Sequence, residues 1–347
     1  MGNREGLRVL IVRVGAMGDV LHGMPAVAAL RKALPGCFIG WAIEPRWMPL
    51  LAGEDGKMPL VDRVHAVRTR DWKRRPISGA TAREIAALRR ELRAERYDVC
   101  VDLQGSIRSA AIGWMAGAKR FVGADAPRER AARILYGQRV GLAARNVIPQ
   151  ACELVGAGVG IRLGPAKVVL PVEVEAERWC DGIMSGNERF VVIAPAAGWG
   201  AKEWGVGRYG ELANGLRAAG VRVLVNEAAE SSAGVAEEIA RGSGATVVAS
   251  TLAQMIALMR RAALVIGGDT GPVHLAAALG RPAVALFGPT DPERNGPAFV
   301  GARARILRDA GSVTDHRRHR ETEAGLGRIR VEEVLAAALA MLEEEPR

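Results

Sequence analysis

The chain has 347 residues, 49% of them apolar and 25% charged, with a formal net charge of +10 at pH 7. That length provides core for two domains, and no apolar run approaches the roughly 18 residues that span a bilayer. Only 4% of residues are aromatic and none interleave with the basic clusters, which argues against a surface that stacks nucleic-acid bases. The basic excess points instead to a phosphorylated or otherwise anionic partner. The opening lacks the charged-then-apolar pattern of a signal peptide. Cys37, Cys100, Cys152 and Cys180 lie far apart without metal spacing and read as buried thiols of a reducing, cytoplasmic compartment.

In chain order, Leu7–Val14 predicts a first strand, Gly15–His22 a turn, and 22–34 a helix. Further strands are expected at 37–43, 61–67, 97–103 and 119–123, with helices near 80–95 and 106–117. The Gly- and Pro-rich stretch Gly156–Pro171 reads as the linker. Beyond it, strands at 189–194, 221–226, 245–249, 263–267 and 282–287 alternate with helices near 207–219, 231–241, 252–260 and 272–280. A helix over Val331–Glu345 closes the chain. Such alternation predicts an α/β fold of two doubly wound, Rossmann-like domains facing across a cleft, with ligands at the C-terminal ends of the strands. The expected division is 1–160 and 161–330, with 331–347 returning to the first domain.

Three loops at strand ends carry candidate chemistry. Gly15-x-x-Gly18-Asp19 lacks the dinucleotide fingerprint, and a carboxylate there would repel a phosphate. Asp19 therefore suits a general base or a hydroxyl-binding group, or it caps the following helix. His22, one turn on, is the rival base or a packed side chain. In the loop Pro195–Gly205, Lys202 is placed to neutralise a phosphate, and Trp199 and Trp204 to pack on a sugar or on the loop itself. In Gly267-Gly-Asp-Thr-Gly-Pro272 the glycines admit a ligand and the helix start favours an anion. Basic centres lie at Arg63, Arg68, Arg70, Lys73, Arg74 and Arg75, then at Lys119, Arg120, Arg128, Arg130, Arg133 and Arg139, and at Asp315–Arg320.

Taken together, Arg8–His22, Tyr97–Ser109 with Gln104 inside it, Asp269–His274 and Phe287–Pro292 resemble the ADP-heptose:lipopolysaccharide heptosyltransferases in order and spacing, nearest to the heptosyltransferase I branch. The resemblance implies the GT-B architecture, with an N-terminal acceptor domain and a C-terminal donor domain. It implies inverting, metal-independent transfer of heptose from ADP-heptose to a Kdo residue of the lipopolysaccharide inner core on a lipid A precursor. No cofactor and no nucleic acid take part, and the protein is expected to be a monomer, cytoplasmic and peripheral to the inner face of the inner membrane. Asp19 falls on the base. Lys202, Asp269, Thr270, Gly271 and His274 fall on the donor site, with Glu230 or Glu227 as the ribose contact. Gly18, His22, Arg70, Lys73, Arg74, Arg75, Gln104 and Arg120 are the expected acceptor side. Asp269 is expected to fix its loop through backbone N–H groups and to touch donor hydroxyls. The alternatives are another nucleotide-sugar enzyme of this architecture, such as an epimerase, or a basic surface-binding protein without activity.

Overall fold

The computed structural model describes residues 6–184, 189–196, 198–227, 234–315 and 319–344, which form two compact units, Met1–Pro171 and Val172–Arg347. The first unit runs β1 (Arg8–Val12), α1 (Met17–Ala33), β2 (Phe38–Ile43), β3 (Arg63–Ala66), α2 (Thr69–Arg74), α3 (Gly79–Ala94), β4 (Val99–Asp102), α4 (Ile107–Met115), β5 (Arg120–Ala124), β6 (Gln138–Val140) and α5 (Val147–Val159). The second runs α6 (Val174–Ile183), β7 (Phe190–Ala194), α7 (Val206–Ala218), β8 (Arg222–Glu227), α8 (Val235–Ser243), β9 (Thr246–Ala249), α9 (Leu252–Arg261), β10 (Leu264–Gly268), α10 (Gly271–Ala278), β11 (Ala283–Leu286), α11 (Pro292–Asn295), β12 (Ala304–Leu307) and α12 (Val331–Glu343).

Each unit holds a six-stranded sheet, ordered β3-β2-β1-β4-β5-β6 in the first and β12-β11-β10-β7-β8-β9 in the second. Every pairing is parallel. The inner strands read as unbroken apolar runs because helices cover both faces: Val9–Val12, Phe190–Ala194 and Leu264–Ile266 are all buried. In both sheets the winding reverses beside the first strand, between β1 and β4 and between β7 and β10. Loops leaving those two strands part at this point, and the crevice between them is where such sheets take ligands.

Two expectations about the chain's organisation change. Gly156–Val159 completes α5, and the segment after it stays with the first unit, where Ala166 N–H donates to Pro25 O at 3.2 Å. The closing helix α12 is built into the second unit, not the first: Val334, Ala337, Ala338 and Met341 join the core of Leu212, Leu216 and Leu264. Its apolar face is used there. The four cysteines are free and buried.

Candidate functional site

In the first unit the β1 and β4 loops are tied to each other across the reversal point. Val14 N–H donates to Gln104 Oε1 at 2.8 Å. Arg13, 13% exposed, donates through Nη1 to Leu103 O, through Nε to Asp19 O at 3.1 Å, and pairs through Nη2 with Asp19 Oδ1 at 2.7 Å. Asp19 stands at the third position of α1, where Oδ2 accepts the Ala16 N–H at 3.1 Å. One carboxylate oxygen thus caps the helix while the other faces a fixed cation, and the side chain stays 39% exposed. Such a carboxylate is positioned to take a proton from a bound hydroxyl. His22 lies on the inward side of α1, 6% exposed.

Below this loop sits Asp102, the last residue of β4, 1% exposed. It accepts from Gln104 N (2.8 Å), Gly105 N (3.1 Å), Ser109 Oγ (2.9 Å) and Tyr136 OH (2.7 Å). Burial raises its pKa, and these hydrogen bonds only partly offset the cost. Asp102 holds the loop that carries Gln104 and starts α4. Glu44 does the same beside it: its buried carboxylate accepts the Arg70 N–H at 3.0 Å and the Thr69 hydroxyl, anchoring the start of α2. Gly15 is required by close approach, since a Cβ there would lie 2.7 Å from Trp47 Nε1. That indole nitrogen is buried and has no hydrogen-bond partner among the described residues.

Arg70, Lys73, Arg74 and Arg75 lie on or just after α2, at the C-terminal end of β3. Arg120 does not join them: it is the first residue of β5, so parallel strand polarity puts it at the sheet edge opposite the Asp19 loop. Its neighbour Lys119 is paired with Asp98 at 2.8 Å.

In the second unit the two loops at the reversal point meet through charge. Lys202, after β7, places Nζ 2.6 Å from Asp269 Oδ2 and 3.0 Å from Asp269 O, just after β10. Asp269 Oδ2 also accepts the Thr290 hydroxyl at 2.7 Å, and Oδ1 lies 2.8 Å from His274 Nε2. The carboxylate is therefore engaged by three side chains, and not by the backbone N–H groups expected from sequence. Burial alone would raise the Asp269 pKa, but the His274 hydrogen bond and the Lys202 charge hold it well below the ordinary 3.8. A neutralised pair at this depth removes the repulsion that a lone aspartate would exert on an anion.

Thr270 precedes α10 as its N-cap, yet its side chain makes no capping bond. Its Oγ1 is buried and without a partner among the described residues. Gly271 and Pro272 open the helix, whose free N–H groups face the same loop. Gly267 and Gly268 allow this crowding, since Cβ atoms there would meet Ala194 O at 2.7 Å and Lys202 O at 3.0 Å. Lys202 Nζ also stands 5.8 Å from the Trp199 ring centre. Trp204, by contrast, is core: it is fully buried and donates to Ile329 O at 3.0 Å. Glu227 ends β8 half-buried, whereas Glu230 lies outside the described residues.

Residues 85–325 match glycosyltransferase family 9 (heptosyltransferase). The chain belongs to that family. Lipopolysaccharide heptosyltransferase 1 of Salmonella typhimurium is 28% identical over 291 residues, which cover 82% of this chain and 90% of the relative. The Pseudomonas aeruginosa protein of the same name is 28% identical over 313 residues, 88% and 84% of the two chains. Among solved structures, E. coli heptosyltransferase WaaC with ADP superposes with a TM-score of 0.79 at 26% identity, covering 96% of this chain and all of that one. This family 9 chain therefore has the GT-B fold. Arg13, Glu44, Asp102 and Thr290 were not singled out by the sequence reading. Arg13 and Asp102 sat inside the quoted motifs, and Thr290 closes the Phe287-Gly-Pro-Thr run, but only the fold brings their partners to them.

Proposed function

We propose that this heptosyltransferase moves heptose from ADP-heptose to a hydroxyl of a Kdo residue on a lipid A precursor, by a single inverting displacement, with the first unit as acceptor domain and the second as donor domain. One observation supports the donor half above all: the Thr270 hydroxyl at the start of α10, buried and without a partner among the described residues, next in sequence to the aspartate that balances Lys202. ADP's diphosphate accepts from Thr270 Oγ1, from the opening N–H groups of α10 and from the remaining Lys202 N–H. Negative charge that builds on the diphosphate as the glycosidic bond breaks is stabilised by these fixed donors, which need no reorganisation during the step. Asp269 and His274 orient Lys202, and Glu227 or Glu230 contacts the ribose.

On the acceptor side, Asp19 takes the proton of the attacking hydroxyl as the new bond forms. Arg13 fixes the orientation of that carboxylate through its 2.7 Å pairing with Oδ1. Trp47 Nε1, an unpartnered donor beside Gly15, and the Arg70–Arg75 cluster bind the acceptor's hydroxyls, carboxylates and phosphates. No helix among the described residues is long and apolar enough to cross a membrane. In this reading the protein meets its lipid acceptor at the surface of the inner leaflet.

The test is ADP release from ADP-heptose, measured with and without a Kdo-bearing lipid A precursor. ADP release that depends on both substrates is expected, together with a heptosylated lipid of inverted anomeric configuration. Equal release with a UDP-sugar, or turnover indifferent to Kdo, would overturn the assignment.

A further inference from the structure

We propose that one helical layer of the first unit, formed by α2, α3, α4 and the turn Arg130–Leu135, is a docking face for an anionic lipid bilayer. Strand alternation separates this layer from its opposite. Leu88 and Leu92 of α3, Ala110 and Ile112 of α4, and Ala132 share a core with Leu10, Val12 and Cys100, and Trp72 of α2 packs against it. α5 meets the other face of the sheet, where Gly158 lies against Val99 and Val101. The Arg130–Leu135 turn starts beside α4: Glu129 N–H donates to Gly105 O, and Ile107 N–H to Glu129 Oε2 at 2.8 Å.

Five large apolar side chains of the first unit are exposed among the described residues; three belong to this layer, Ile134 (80%), Trp114 (58%) and Ile107 (51%), and a fourth, Ile77 (99%), lies in the connection from α2 to α3. Exposed apolar residues scattered singly are ordinary, but their concentration in one layer and its connection is not. The same layer is cationic. Arg89, Arg90, Arg108 and Arg130 are exposed and make no ion pair among the described residues. Four acids of the layer are engaged and Asp71 of α2 is not: Glu84 accepts from Trp72 Nε1, Glu91 faces His65 and Arg63, Asp125 pairs with Arg133, and Glu129 holds the Ile107 N–H, whereas the Asp71 carboxylate makes no ion pair among the described residues.

Charge and apolarity together select the occupant. An anionic bilayer offers headgroup phosphates to the guanidinium groups and an acyl boundary to the isoleucines and the indole, a ring type favoured at that depth. A nucleic acid would leave the isoleucines in water, and a second copy would bring like charge against like. The inference does not rest on the donor or base assignments, because it uses only this layer's own side chains.

The test uses the full chain and vesicles that contain no Kdo lipid. Sedimentation with phosphatidylethanolamine–phosphatidylglycerol vesicles is expected to capture the protein, with capture weakened by salt and absent on phosphatidylcholine alone. Reversing Arg89→Glu and Arg90→Glu together should lower the partition coefficient by about tenfold or more. The charge-matched control Lys167→Glu with Arg241→Glu, at exposed positions that belong to none of these elements, should lower it far less. Brominated acyl chains should quench tryptophan fluorescence in the parent protein, and Trp114→Phe should remove most of that quenching. Absence of capture, equal loss in both double variants, capture without quenching at Trp114, or Arg89/Arg90-dependent binding of RNA in place of vesicles would each overturn the proposal. A protein that turns over a delipidated acceptor but ignores vesicles would lose this inference while keeping its proposed function.

Discussion

The two units share one winding, and each sets a cation against an aspartate at its reversal point, yet the two aspartates are set up for opposite tasks. Asp269 is buried, with its side chain 6% exposed, and its carboxylate is engaged by Lys202, His274 and Thr290. Asp19 is 39% exposed and meets one side-chain cation, Arg13, while capping its own helix. A carboxylate locked in a low-pKa network cannot take up a proton during turnover, but it can fix a lysine against an anion. A carboxylate left in reach of water can accept one. The same topology therefore yields a charge clamp in one unit and a proton acceptor in the other, and the amount of burial decides which.

The largest expected effect comes from emptying the clamp. Asp269→Ala leaves the Lys202 ammonium and the Thr290 hydroxyl buried without their partner, and removing one member of such a pair costs about 3–5 kcal/mol. Urea unfolding followed by hydrogen exchange should place that loss in the second unit. A uniform loss in both units, or one below 1 kcal/mol, would mean that the pair is not structurally coupled as described. Lys202→Met is next. ADP binding should weaken by about 1–3 kcal/mol, the range of a charge-assisted contact, as read by calorimetry. Unchanged ADP affinity would remove Lys202 from the donor site.

Acid titration separates the units further. Asp269's folded pKa is lowered from 3.8, so its contribution is present above that value and is lost as pH falls through the folded value. His65 in the first unit is fully buried between Glu91 and Tyr97, each 2.7 Å away. Burial, the largest cause, lowers its pKa from 6.5 despite the raising effect of Glu91. The unfolded chain then takes up this proton first, so the first unit should begin to lose stability as pH falls below about 6.5, before the second loses the Asp269 contribution below 3.8. Exchange protection measured across this range checks the order of the two losses.

Much of this was legible from sequence because the signals are local. Apolar runs closed by Gly-rich turns placed ten of the strands, and Asp19, Lys202 and Thr270 sit in the turns that those runs define. The short edge strands β6 and β12 hold no buried residue, so they lack the buried apolar signature that marked the others. Partners that meet only through the fold were equally silent: Tyr136 reaches Asp102 across 34 residues, and Lys202 reaches Asp269 across 67. Arg120 went astray for a related reason. Charge clustering along the chain says nothing about which end of a parallel strand a residue occupies.

One comparison tests Asp19 as the base most directly: kcat and ADP affinity of Asp19→Asn beside His22→Gln, in the same ADP-release assay. Asparagine can still cap α1 through its carbonyl oxygen, so Asp19→Asn should fold and bind ADP normally while kcat falls by roughly 10²–10⁴-fold. His22→Gln should lose far less. Near-normal turnover in Asp19→Asn, or a larger loss in His22→Gln with folding intact, would contradict the central claim.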